Sequence, residues 1–215
     1  MEHRTLTSLL DCKIFQIPDF QKEFCWGENQ LKALLKDVDE AIQYSIVHHY
    51  CGTIVLYQPK DCPTMNYGLK KMEMVKIIDG QQRLIAISLF LSIVLNKLII
   101  QGQSGFISEI PHYLFRGTDS KLVLNEEIYQ LYFDLISKGT TTMESLTKQQ
   151  QRLLFAHRYI QKQLNLQLDQ KGKHKLEYLM ELFDALISKI VFSVYTIRID
   201  AEVYRTYENI NRKVG

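Results

Sequence analysis

None of the four cysteines, Cys12, Cys25, Cys51 and Cys62, forms a C-x-x-C pair or has a histidine at zinc-ligand spacing. That excludes zinc-finger and redox-motif readings and leaves reduced, mostly buried thiols of a cytoplasmic protein. An excess of one charge sign is also missing. Lys and Arg total 26, Asp and Glu 24, for a net charge of +2. Bulk electrostatics therefore gives no case for nucleic-acid or membrane binding, though local patches are still allowed. The N-terminus, Met1-Glu2-His3-Arg4, lacks the apolar core of a signal peptide. The longest apolar run, Leu84 to Ile100, is broken by Ser88, Ser92, Asn96 and Lys97, which suits a buried helix better than a membrane span. There is no internal repeat, no low-complexity segment, no Walker-type or G-x-G-x-x-G loop and no H-E-x-x-H. No Ser/His/Asp or Cys/His set can be placed. The six histidines are scattered except for His48-His49, which reads as an exposed helix end rather than a ligand pair.

The composition itself is that of an ordinary globular chain, 46% hydrophobic and 23% charged, with length for one large domain or two small ones. Thr5 to Leu10 reads as a short helical turn and Lys13 to Pro18 as a strand stopped by proline. Leu31, Leu34, Leu35, Val38 and Ile42 recur at helical spacing after Gly27, with Lys32, Lys36, Asp37, Asp39 and Glu40 on the solvated side. Tyr50–Tyr57 and Lys71–Ile78 read as two strands of a hairpin, with a loop over Gln58–Leu69 between them. The helix from Gln81 follows. Residues 107–124 read as short strands or loops. Helices are expected over 125–137, 146–168, 176–188 and 201–210. Ile190 to Ile199 is the clearest strand in the chain. That strand must pair with the N-terminal sheet, so the expectation is an α/β (α+β) fold forming one interlocked unit.

Polar chemistry concentrates in Lys76-Ile-Ile-Asp79-Gly80-Gln81-Gln82-Arg83-Leu84. Apolar residues lead in and a long helix leads out, so these side chains sit at a helix mouth. Asp79 suits an N-cap, Gln82 three residues on completes a capping box, and Gly80 eases the turn. Arg83 does not fit that scheme, because a cation in the first turn opposes the helix dipole by about 0.3–1 kcal/mol. A buried carboxylate or a bound phosphate would each reverse the penalty. The residues alone leave those two open.

Three stretches in order carry a resemblance: Ile17-Pro18-x-Phe20-Gln21-Lys22-x-Phe24-x-Trp26, Gly52-Thr-Ile-Val-Leu56, and Ile78-Asp79-Gly80-Gln81-Gln82-Arg83-Leu84. Together they resemble the N-terminal domain of GmrSD-type (type IV) modification-dependent restriction proteins, a family similar to the ParB/sulfiredoxin fold. The end, Tyr207-Glu208-Asn-Ile-Asn211, resembles a further family element of the form aromatic-Glu-x-x-Asn before glycine. Lys22 stands where the family usually has arginine, which loses the bidentate fork, and Phe24 stands where tyrosine is usual. The glycine of the last element is displaced by a residue.

The resemblance implies a small mixed sheet with helices as a nucleotide-binding core over 1–102. A helical segment would follow over 103–189, and a strand and helix over 190–215 would complete the core. It implies binding, and hydrolysis, of a nucleoside triphosphate with Mg2+ in a phage-defence system. On that reading Asp79, Gln82 and Arg83 are catalytic, with Asp79 also on the metal. Gln21, Lys22, Trp26, Gly80, Gln81, Glu208 and Asn211 line the nucleotide site, with Trp26 open between packing and base stacking. DNA, and a separate HNH-type nuclease domain or subunit, are the other partners it allows. The alternative is a ParB-like DNA- or partner-binding module without turnover. No nuclease motif is present in the sequence, and the stop inside the last element reads as the front piece of a longer protein.

Overall fold

The computed structural model describes residues 2–18, 21, 23–44, 48–67 and 69–212, with side chains described as far as Asn209. The chain opens with strand β1 (Glu2–Thr5), helix α1 (Leu6–Leu10) and strand β2 (Lys13–Gln16). Helix α2 (Glu28–Gln43) follows, then β3 (His49–Tyr57), β4 (Thr64–Tyr67) and β5 (Lys70–Asp79). Helix α3 (Gln81–Ile100) leads to a 3-10 turn (Ser104–Glu109), short helix α4 (Ile110–Tyr113) and the two-residue strands β6 (Phe115–Arg116), β7 (Asp119–Ser120) and β8 (Leu122–Val123). Helices α5 (Glu126–Lys138), α6 (Lys148–Lys171) and α7 (Lys175–Asp184) precede strand β9 (Ile190–Ile197) and helix α8 (Asp200–Arg212).

The sheet runs β1-β9-β3-β5-β2-β8, with β4 also on β5. It is mixed. β9 is antiparallel to β1 and parallel to β3, while β5 is antiparallel to β3 and parallel to β2. This is the α+β arrangement expected. β3 and β5 are antiparallel neighbours, but the connection between them is not a plain loop. Thr64–Tyr67 turns back on Lys70–Glu73 as an extra strand. All four of its residues are exposed, so it has no apolar alternation to reveal it. The Glu2–Thr5 edge strand is likewise additional, and equally polar.

Alternate residues divide the sheet between two faces. Ile54, Leu56, Val75, Ile77, Phe192 and Val194 enter the main core beneath α2, α3 and α7. Val55, Ile78 and Ile197 face the other way and are covered by Val203 and Tyr207 of α8. The Tyr57 hydroxyl donates to Asp200 and fastens the start of that helix.

Helix α3 is long and apolar enough to cross a membrane, yet 67% of its most apolar window is buried within the fold. It packs against α5, α6 and α7. A helix apolar all round belongs inside a core. Its serines turn inward without cost, because Ser88 and Ser92 donate to carbonyls three residues back and the buried Tyr132 hydroxyl donates to Ser88. Helix α2 instead buries one stripe, Leu31, Leu34, Leu35, Val38 and Ala41. Each fully buried leucine contributes about 2 kcal/mol.

Two sequence expectations need correction. Cys12 and Cys25 are exposed, Cys62 is half-buried and only Cys51 is buried. His49 is not a helix end but the first residue of β3, half-buried and 3.4 Å from Asp37.

Candidate functional site

The end of β5 and the start of α3 meet in a left-handed turn at Gly80, whose φ is +94°. A Cβ there would lie 3.1 Å from the Thr53 carbonyl oxygen and 3.1 Å from Ile54, so glycine is required twice over. The capping scheme read from the sequence does not hold. Gly80 is the N-cap and Asp79 is the last strand residue, in register with Val55. The first helical bond runs from the Leu84 N–H to the Gly80 carbonyl. Strand pairing holds Asp79 extended, so the helix starts one residue later than Asp79 as cap would place it. Among the described residues no side chain caps α3, and no acidic residue lies in its first turn. The opening turn therefore carries the positive end of the helix dipole with no acidic side chain of its own to offset it.

Arg83 completes that turn. Its guanidinium lies on the backbone of Gly52, in the bulged part of β3, where a Cβ would come within 2.6 Å of its Cζ. Gly52 has φ +110°. The guanidinium carbon is 5.6 Å from the Trp26 ring centre, a cation–π contact. Among the described residues no carboxylate forms an ion pair with Arg83. Of the two partners open at the sequence level, the buried carboxylate is thus not found. Beneath the arginine the Cys51 thiol is pushed up to about 12 by burial; Arg83 pulls it down and Asp37 adds to the rise. Cys51 is buried and packs in the main core.

Two glutamines hold the opposing segment. The Gln21 amide donates to the Ile78 carbonyl at 2.7 Å and to the Ile77 carbonyl at 3.4 Å, and accepts from the Gln81 amide at 2.9 Å. Gln81 is buried, and its Oε1 has no hydrogen-bond partner among the described residues. Gln82 is spread over the backbone of 23–25, accepting from the Cys25 N–H at 2.8 Å and donating to the Glu23 carbonyl at 2.8 Å. Phe24 between them is buried in the core, which gives the missing tyrosine hydroxyl no solvent to meet. The clamp at 23–25 and the buried Phe24 present Trp26 to Arg83.

The structure thus brings Gln21, Trp26, Gly80, Gln81, Gln82 and Arg83 to one mouth, with Asp79 at its base. Lys22 lies outside the described residues. Glu208 rides on α8, which packs through Tyr207 on Val55 and Ile78. It comes to the same strand ends from the opposite face of the sheet. Asn211 belongs to α8, but its side chain is outside the description. The sequence reading quoted Gly52 only within a family stretch, gave neither it nor Cys51 a role at the mouth, and missed the Gln82 clamp. Beyond that stretch, a glycine within a β-branched strand was the local signal for the first. Elsewhere, Asp37, Glu40 and His49 form one group whose ligand-type atoms lie within 4.8 Å of one another.

The family described as GmrSD restriction endonuclease, N-terminal domain, matches residues 6–214. The chain belongs to that family. The GmrSD match spans the helical segment of α5 to α7 as well as the sheet, so these helices belong to the family domain. No curated protein matches the chain. Membership in the GmrSD family supports a part in a restriction, or phage-defence, system.

Proposed function

We propose that the mouth of α3 binds a nucleoside triphosphate with Mg2+, as one component of a GmrSD-type restriction system. The observation that carries this reading is Arg83, a cation in the first turn of an uncapped helix, fixed on Gly52 and without an ion-pair partner among the described residues. A polyphosphate satisfies both the guanidinium fork and the positive end of the helix dipole. The residues suit the group in two further ways. Asp79 offers a half-exposed carboxylate with no hydrogen bond or ion pair among the described residues, an oxygen ligand of the kind Mg2+ takes. Trp26 offers a ring face beside the arginine for the base.

If the nucleotide is hydrolysed, Asp79 would hold the metal, which would supply charge neutralisation on the phosphates, and Arg83 would meet charge developing on the same oxygens. Gln82 acts differently from the role its place in the motif implies. Both ends of its amide hold the 23–25 backbone, so it positions Trp26 and the loop. The same observation favours a second reading, binding without hydrolysis, in which nucleotide is a switch for a partner such as an HNH-type nuclease.

Thermal shift against the four common NTPs with Mg2+, for wild type and Arg83→Ala, tests the site. A shift of several degrees in wild type and none in the variant is expected. Equal shifts in both remove the assignment. Phosphate release by wild type and not by Asp79→Ala separates turnover from binding alone.

A further inference from the structure

Helix α6 presents a face that the nucleotide reading does not use. Lys148, Arg152, Arg158 and Lys162 are all exposed or at the helix start, and none forms an ion pair among the described residues. No carboxylate occurs between Glu144 and Asp169. At 3.6 residues per turn, Lys148, Arg152, Phe155, Tyr159, Lys162 and Leu166 fall on one stripe, about 27 Å long. Leu153, Ala156, Ile160 and Leu164 occupy the buried side.

The stripe is not merely cationic. Phe155 is 44% exposed, and its ring lies 5.9 Å from that of Tyr159 with the planes tilted by 33°. Arg152 and Lys162 bracket this aromatic pair one turn to either side. Beside it runs a groove of about 560 Å3, lined by Phe155, Arg158, Tyr159 and Lys162 and closed by Glu28 at the start of α2. Among the described residues Glu28 is the only carboxylate on its walls, and it lies two residues from Trp26 in sequence.

We propose that this face binds single-stranded nucleic acid, the cations on its phosphates and Phe155 with Tyr159 stacked on its bases. Unpaired cations repel one another and gain from a polyanion. An acidic protein would satisfy the charges but leave the ring faces without a specific partner, and a duplex would hide the bases they stack on. The interval between turns, about 5–6 Å, suits successive phosphates of a flexible strand. The proposal goes beyond the nucleotide reading and does not depend on it.

The test is fluorescence anisotropy of labelled dT20 with the 215-residue chain between 50 and 200 mM salt. Four phosphate contacts predict a log–log salt slope of about −3. Arg152→Glu with Lys162→Glu should weaken binding by at least tenfold and flatten that slope, while the exposed positions leave the melting temperature and the nucleotide-induced shift intact. Phe155→Ala should weaken binding about tenfold at an unchanged slope. No binding of dT20 by wild type overturns the proposal, as does a double variant that binds as tightly as wild type. A 20-base-pair duplex bound more tightly, or poly-glutamate bound equally, also overturns it, in favour of a duplex or an acidic protein. Loss of the nucleotide shift with dT20 binding retained would defeat the nucleotide reading alone.

Discussion

Arg83 lies flat on Gly52, so close that a Cβ on the glycine would sit 2.6 Å from the guanidinium carbon. Strand and helix thus meet through a residue without a side chain. Gly52→Ala should do two separable things. Its φ of +110° becomes strained, costing about 1–3 kcal/mol in urea unfolding. The new methyl also displaces Arg83, so the nucleotide-induced thermal shift should shrink. In the Gly52→Ala/Arg83→Ala pair the backbone strain persists but the clash is gone, and the stability losses should add to less than their sum. Full additivity would mean the contact has no energetic weight.

Gln82→Ala should release residues 23–25. Two hydrogen bonds to backbone are lost, worth about 1 kcal/mol each. The sharper reading is hydrogen exchange at the Cys25 amide, whose N–H donates to Gln82. It should exchange faster in the variant while the α3 core amides stay protected. Nucleotide affinity should fall through misplacement of Trp26, with turnover at saturation retained if the residue only positions the loop.

Thiol labelling distinguishes the four cysteines. Burial raises Cys51 from an ordinary 9.0 to about 12, which lowers its thiolate fraction at pH 8 about a thousandfold. Iodoacetamide should alkylate exposed Cys12 and Cys25 in the native protein and reach Cys51 only in denaturant. Rapid native modification of Cys51 would contradict its burial.

His157 gives a pH dependence with a definite sign. It is buried in α6, its Nε2 has no partner among the described residues, and burial, with Arg158 beside it, lowers it from 6.5 to about 4. The unfolded chain therefore takes up this proton first. Stability from the neutral imidazole is complete above about 6.5 and is lost as pH falls toward 4, by about 3 kcal/mol at full development. Urea unfolding at pH 7.5 and 4.5 should show a smaller acid loss for His157→Gln than for wild type. An equal loss in both would assign the effect to carboxylates.

What the sequence disclosed follows from what local patterns can carry. β9 was legible because Ile190, Val191, Phe192 and Val194 are buried and β-favouring, with only the small Ser193 among them. β4 was not, because four exposed residues among prolines and glycine have no period. The helix start at Gly80 was displaced by one residue. Asp79 is the better cap by local chemistry, but pairing with Val55 outweighs that preference. The candidate site was half legible. Its motif residues are contiguous, so 79–83 could be read together. Contacts of Arg83 with Gly52 and Trp26, and of Gln82 with the Cys25 amide, link residues 31 to 57 positions apart, and no local pattern encodes them.

β9 sits between β1 and β3 in the sheet, although four long helices, α3 and α5 to α7, separate it from β3 in sequence. During synthesis β1 has no strand to join, and the edge of β3 stays open, until residues 190–197 have left the ribosome. The nascent chain must therefore keep an apolar edge unpaired while all of α3 to α7 is made, and closure of the sheet involves pairings such as Glu2 with Val194. Release before residue 190 would leave a chain with its motif residues present and a sheet that cannot close.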